Sequence, residues 1–215
     1  MLAGTQITAT GTFSDPEDQP LTPTWTLAAP NGSVATLALD AEQTQATFTA
    51  DVPGEYVVTL SVTDGDKTTV KQVMTSAFPI VGGTYSTNFT VTFISSVCQQ
   101  QLGLNPGDSQ VLDMDVTQTA PDAAIIGLKS LIPNVKDNPV AGLSPSGQAI
   151  FTGPIVLETG TDPPEITANG TLSLTFAFAD GIAMPATGFS GGFSFTATVF
   201  VFQCTVQGTL ESPPN

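Results

Sequence analysis

The stretch Phe48 to Gly65, "FTADVPGEYVVTLSVTDG", decides the fold of the first half of this chain. Pro53-Gly54 and Asp64-Gly65 are turn signals, and the residues from Glu55 to Thr63 between them read as one strand. Side chains along a strand alternate between two faces. Tyr56, Val58, Leu60 and Val62 therefore share one face and Thr59, Ser61 and Thr63 the other, with Val57 breaking the pattern. A strand that is apolar on one side needs a second layer to bury that side. The same reading predicts strands at Gln6–Thr12, Thr22–Ala28, Ala46–Ala50 and Thr68–Thr75. Five short strands at this spacing read as a β-sandwich.

Composition extends that reading to the whole chain. Its 215 residues suggest one large or two ordinary domains. Thr occurs 33 times, Gly 20 and Pro 17, a mixture of strand and turn formers. Charged residues make up 11%, against about 25% in an average soluble protein. The chain is expected to be all-β. The phenylalanine distribution shifts at Phe78: of 13 Phe only Phe13 and Phe48 precede it, and both cysteines follow it. The run "TSAFPIVGG" (Thr75 to Gly83) reads as a linker, which predicts domains at 1–77 and 78–215.

Three stretches of the first half agree in order: "FSDPEDQPLTPTWTL" (Phe13 to Leu27), "PNGS" (Pro30 to Ser33) and the opening quotation. Together they make residues 3 to about 76 resemble the PKD (polycystic kidney disease) domain, an immunoglobulin-like sandwich. The resemblance implies that Asp51 to Tyr56 forms a tyrosine corner and that Trp25 is the buried Trp of strand C. Val58 stands where an antibody domain has its second cysteine, so no bridge is expected there. The resemblance also implies that the first strand of such a domain is missing. That would leave an open sheet edge for identical subunits, other surface proteins or glycans.

The second half alternates over longer runs. Leu172, Leu174, Phe176 and Phe178 are expected on one face, as are Phe193, Phe195, Val199 and Val201, and again Tyr85, Phe89, Val91 and Phe93. Clean alternation marks antiparallel sheet, and strands this long are long for a sandwich and suit a curved sheet or barrel, so the second domain is expected to be an antiparallel barrel or sandwich. "GGTYSTNFTV" and "CTVQGTL" resemble the opening and closing strands of small bacterial lipocalin-like barrels. "AAIIGLKSLIPNV" (Ala123 to Val135) fits a strand or a short helix. A disulfide is expected between Cys98 and Cys204, tying the first strand of this domain to its last. It would suit a secreted, extracellular or cell-surface protein.

Charge and residue types then exclude chemistries. There are four Lys and no Arg or His, and the net charge is −15. Phosphate neutralisation needs clustered cations, so nucleic acid is not an expected partner. No apolar run of about 18 residues is present to span a bilayer. The start "MLAGTQITATG" lacks the basic and apolar regions of a signal peptide and reads as a trimmed or mature beginning. Without histidine, Ser–His–Asp and Cys–His catalysis is unavailable. The tightest carboxylate pair, Asp113 and Asp115 in "VLDMDVT", reads as the wet face of a strand whose Leu112, Met114 and Val116 face the core. No enzyme is expected.

Calcium is the one cofactor the sequence allows. Asp15, Glu17 and Asp18 sit on a Pro-flanked turn and Asp64 at another strand end, and calcium takes six to eight oxygens. The alternative is that Asp15 caps its own turn. Asn31, Asn88 and Asn169 each begin an N-x-S/T sequon, which matters only in a glycosylating pathway. The expected role is a structural or adhesive extracellular module. The alternatives are a barrel that binds a small apolar ligand, and the accessory part of a larger secreted hydrolase.

Overall fold

The structure, a computed structural model, describes residues 1–131, 134–158, 165–179, 185–199 and 202–213. The chain forms two compact units: Met1–Pro79 builds the first, and the described residues from Ile80 onward build the second.

The first unit has six strands: β1 (Gln6–Thr10), β2 (Thr22–Ala28), β3 (Ala38–Leu39), β4 (Gln45–Thr49), β5 (Gly54–Thr63) and β6 (Thr68–Ala77). They form two three-stranded antiparallel sheets, ordered β1-β4-β3 and β2-β5-β6. With the strands lettered from B, these are the B-E-D and C-F-G sheets of an immunoglobulin-type sandwich. The sheets pack through Phe48, Ala50, Tyr56 and Val58, and the Phe48 and Tyr56 rings lie 5.4 Å apart. The anticipated strands fall within two residues of their expected ends. Strand β3, two residues long, is too short to show a period and was not anticipated. Trp25 is half-buried rather than enclosed: its ring packs on this core while its Nε1–H donates to the Gln43 carbonyl at 2.8 Å.

Tyr56 is fully buried and forms the corner. Its hydroxyl accepts from the Val52 N–H at 3.0 Å and lies 2.9 Å from both the Val52 carbonyl and Asp51 Oδ1. Ser33 Oγ–H and the Val34 N–H also donate to the Asp51 carboxylate. Burial pushes the Asp51 carboxyl up, but the donors from Ser33, Val34 and Tyr56 outweigh it and hold the pKa below the usual value. A depressed carboxyl stabilises the fold above its unfolded pKa, about 3.9, and that contribution disappears as pH falls through the lower folded value. Asp51→Asn is therefore expected to cost about 1–3 kcal/mol at neutral pH. Its deficit relative to wild type should shrink on acidification, as read by urea unfolding at both pH values.

The second unit contains β7 (Gly83–Ile94), α1 (Ser96–Leu102), β8 (Ser109–Ala120), β9 (Ala123–Ile126), α2 (Leu128–Leu131), β10 (Val140–Leu143), β11 (Gln148–Glu158), β12 (Glu165–Ala177), β13 (Gly188–Val199) and β14 (Phe202–Ser212). Each strand pairs antiparallel with the next, and β14 pairs with β7. The result is a closed eight-stranded up-and-down barrel. Residues 123–135 prove to hold both candidates, β9 followed by α2, with 132 and 133 outside the described residues.

Eight strands leave an interior that side chains alone can fill. Tyr85, Phe89, Phe176, Phe189, Phe193 and Phe195 do so here, with neighbouring ring centroids 5.2 to 6.0 Å apart. Leu172 and Leu174 are fully buried, as their alternation predicts. Two of the Phe rings stand directly opposite glycines on neighbouring strands: Phe193 pairs with Gly208, and Phe195 with Gly170. The missing side chains leave space that the rings occupy, a device that permits tight strand curvature. Val201 and the side chain of Val199 lie outside the described residues.

One expected face is corrected. Phe93 does not join Tyr85, Phe89 and Val91 inside; it is 48% exposed, and Ile94 is buried instead. The β7–β14 register shifts between Gln207 and Gly208, with Gly208 opposite Val91 and Gln207 opposite Phe93. This bulge adds one residue to β7 and inverts the alternation beyond it. On β8 the alternation holds: Met114 and Val116 are buried, and Asp113 and Asp115 face water.

Cys98 on α1 and Cys204 on β14 form the disulfide, with Cα atoms 5.2 Å apart. Cys98 is fully buried beside Val91 and Ile94. Tyr85 donates its hydroxyl to the Val81 carbonyl at 2.7 Å, and burial pushes its pKa up to about 12. A raised pKa leaves stability intact below the unfolded value, near 10, and removes it as pH climbs toward the folded one. The barrel should thus lose stability between about pH 10 and 12. Tyr85→Phe should flatten that loss in denaturant titrations, at a constant cost of about 1 kcal/mol for the hydrogen bond.

Candidate interaction edge of the sandwich

The acidic residues singled out by sequence settle into two turns. Asp15 Oδ1 accepts from the Glu17 N–H at 2.8 Å and the Gln19 N–H at 3.1 Å, so it closes its own turn. Glu17 and Asp18 are exposed, Asp18 with a positive φ of 56°. Asp64 Oδ1 accepts from the N–H groups of Lys67 at 2.7 Å and Asp66 at 2.8 Å. Those two donors, Lys67 first, hold its carboxyl below the usual range. Asp15 and Asp64 line one groove; Glu17 and Asp18 do not line it. Among the described residues no three His, Cys, Asp or Glu side chains converge.

That groove, about 390 Å³, runs along the open side of the sandwich. Ser14, Asp15, Leu60, Val62, Thr69 and Lys71 are among the residues that line it. Its position follows from the sheet pairing. Leu60 stands opposite Lys71 and Val58 opposite Val73, so Lys71 and Val73 share the inward face of their sheet. Val58 is covered by the second sheet, while Leu60 and Val62 are only half-buried.

Strand β6 is the most exposed long element of this unit. Val70 is 53% exposed, Val73 62% and Met74 62%. Val70 and Met74 share one face and Val73 lies on the other, so both sides of the strand present apolar surface to water. Beyond β5, nothing among the described residues pairs with β6 except at its end, where Leu2 makes one parallel bridge to Phe78. The other edges are protected in familiar ways. β2 carries Pro23, β3 is two residues long, and β1 exposes Gln6, Thr8 and Thr10. Of the four lysines, Lys67 precedes β6 and Lys71 lies within its exposed apolar group. Among the described residues the one ion pair is Lys136–Glu165, 2.6 Å, in the other unit.

Sequence reasoning placed β6 but missed its exposure. The signal was present: "TTVKQVMT" (Thr68 to Thr75) does not alternate, and a strand apolar on both faces needs cover on both. Asn31, Asn88 and Asn169 are all exposed. No helix among the described residues is long and apolar enough to cross a membrane. No protein-family model matches the chain, and neither the curated proteins nor the solved structures searched gave a match.

Proposed function

We propose that this chain is an extracellular, non-catalytic structural and adhesive module. The sandwich holds a partner at the β6 edge, and the bridged barrel serves as a rigid body. The observation that carries this reading is the exposure of Val70, Val73 and Met74 on an edge strand of ten residues. Soluble proteins ordinarily blunt or cover such an edge, and exposed apolar surface of this kind is typical of interaction sites.

Three further features support it. Imidazole and guanidinium are missing, which removes the commonest general base and the commonest anion clamp. The disulfide suits an oxidising compartment, and the PKD resemblance of residues 3 to 76 agrees with a surface location. Aromatic rings that fill the barrel favour a rigid body over a ligand cavity.

The test is adhesion of protein-coated beads to the producing organism's cell surface. A variant carrying Val73→Lys and Met74→Lys is expected to lose about tenfold in bound beads while melting like wild type. Equal adhesion by the two proteins would remove the edge from the function. Hydrolytic turnover abolished by a single carboxylate replacement would overturn the non-catalytic reading.

A further inference from the structure

We infer that the β6 edge receives an extended segment of a partner protein, running parallel to β6, with apolar, acidic, polar, apolar and apolar residues opposite Val70, Lys71, Gln72, Val73 and Met74. This rests on the reading of β6 as the interaction edge and names what occupies it.

The direction comes from a ladder already begun. The Phe78 N–H donates to the Met1 carbonyl and the Ala3 N–H to the Phe78 carbonyl, both at 2.8 Å, around the parallel Leu2–Phe78 bridge. The next rung is half made: the Met1 amino group donates to the Ser76 carbonyl at 3.2 Å. Ser76 and Phe78 thus turn their polar backbone groups away from β5. In an antiparallel pair, alternate residues do the same, and the β5–β6 register runs without a shift. Val70, Gln72 and Met74 therefore offer N–H and C=O groups to a strand on that side. A segment parallel to β6 continues the existing ladder without a change of hydrogen-bond pattern.

The order of side chains follows from the faces. Neighbours across a parallel pair lie on the same side of the sheet. A residue opposite Val73 lies on the inward face of the sheet, in line with Val58, where an apolar group buries Val73. One opposite Lys71 meets an ammonium with no carboxylate within ion-pair distance among the described residues, so an acidic group fits there. Residues opposite Val70 and Met74 cover the apolar surface of the other face. A partner, rather than a second copy, is favoured by charge: two chains each at −15 repel.

The experiment uses the whole chain and the synthetic peptide acetyl-TTVETVV-amide, laid out to face Thr68 to Met74. Binding is read by fluorescence anisotropy and two-dimensional NMR. Wild type is expected to bind it. Val73→Lys should weaken binding by about tenfold or more. Lys71→Glu should do likewise and switch preference to the peptide with Lys in place of Glu. A spin label at the peptide's C-terminal end should broaden Met74 and Ser76 rather than Thr68. The inference is overturned by no binding to wild type, by equal binding to Val73→Lys, or by broadening at Thr68, which would mean an antiparallel strand. It is also overturned if Lys71→Glu makes the chain self-associate with unchanged peptide affinity, which would make Lys71 only a guard of the edge. If the adhesion test succeeds while the peptide fails, the edge keeps its role and the strand occupant falls. If both fail, so does the edge.

Discussion

Removing the bridge by Cys98→Ala together with Cys204→Ala is expected to lower the unfolding free energy of the barrel by about 4–5 kcal/mol. The bridge spans a separation of 106 residues, and a cross-link of that length removes much of the freedom of the unfolded chain. It joins α1, which directly follows β7, to β14. Those are the two strands whose pairing closes the barrel. Loss of the bridge thus leaves the seam between the chain's first and last barrel strands held by hydrogen bonds and by Val91, Ile94 and Val206. Urea unfolding of the barrel should show a lower midpoint, and the same drop should follow reduction of the wild type. A midpoint unmoved by either treatment would mean that the seam does not depend on the bridge.

Gly208→Val is expected to destabilise the barrel by about 3 kcal/mol or more. A side chain at Gly208 would run into the Thr90 carbonyl oxygen on β7 and the Phe193 ring on β13. The first obstacle is backbone, which no rotamer change relieves, and the second is an anchor of the aromatic core. Gly142→Ala provides the control, because its added methyl would meet only the Ile150 carbonyl oxygen at an ordinary 3.9 Å. That change should stay within about 0.5 kcal/mol. Parallel melts of the two variants separate a curvature requirement from a general dislike of side chains at barrel glycines. Equal melting temperatures would rule out close packing at Gly208.

Much of this architecture is legible in the residues because strand alternation is local. Leu172, Leu174 and Phe176 point inward for the reason their spacing suggests, and the expected bridge is present, though Cys98 lies on α1 just beyond the first strand and only Cys204 lies on a strand. What the residues did not reveal is non-local. Phe93 faces water because a bulge against Gln207 and Gly208 shifts the phase, and neither residue is near it in sequence. Ser33 could not be tied to Asp51 before the turn around Pro30 was folded against the corner. Val70, Val73 and Met74 were visible as apolar residues, but the exposure of Val73 depends on how far the opposite sheet extends over β6, and that of Val70 and Met74 on whether anything covers the outer face.

The most direct measurement is amide hydrogen exchange along β6 in the free protein. An open edge predicts a two-residue rhythm: fast exchange at Val70, Gln72 and Met74, and slow exchange at Lys71 and Val73, whose N–H groups face β5. Uniform protection from Val70 to Met74 would mean that the edge is already covered, and would contradict the role proposed for it.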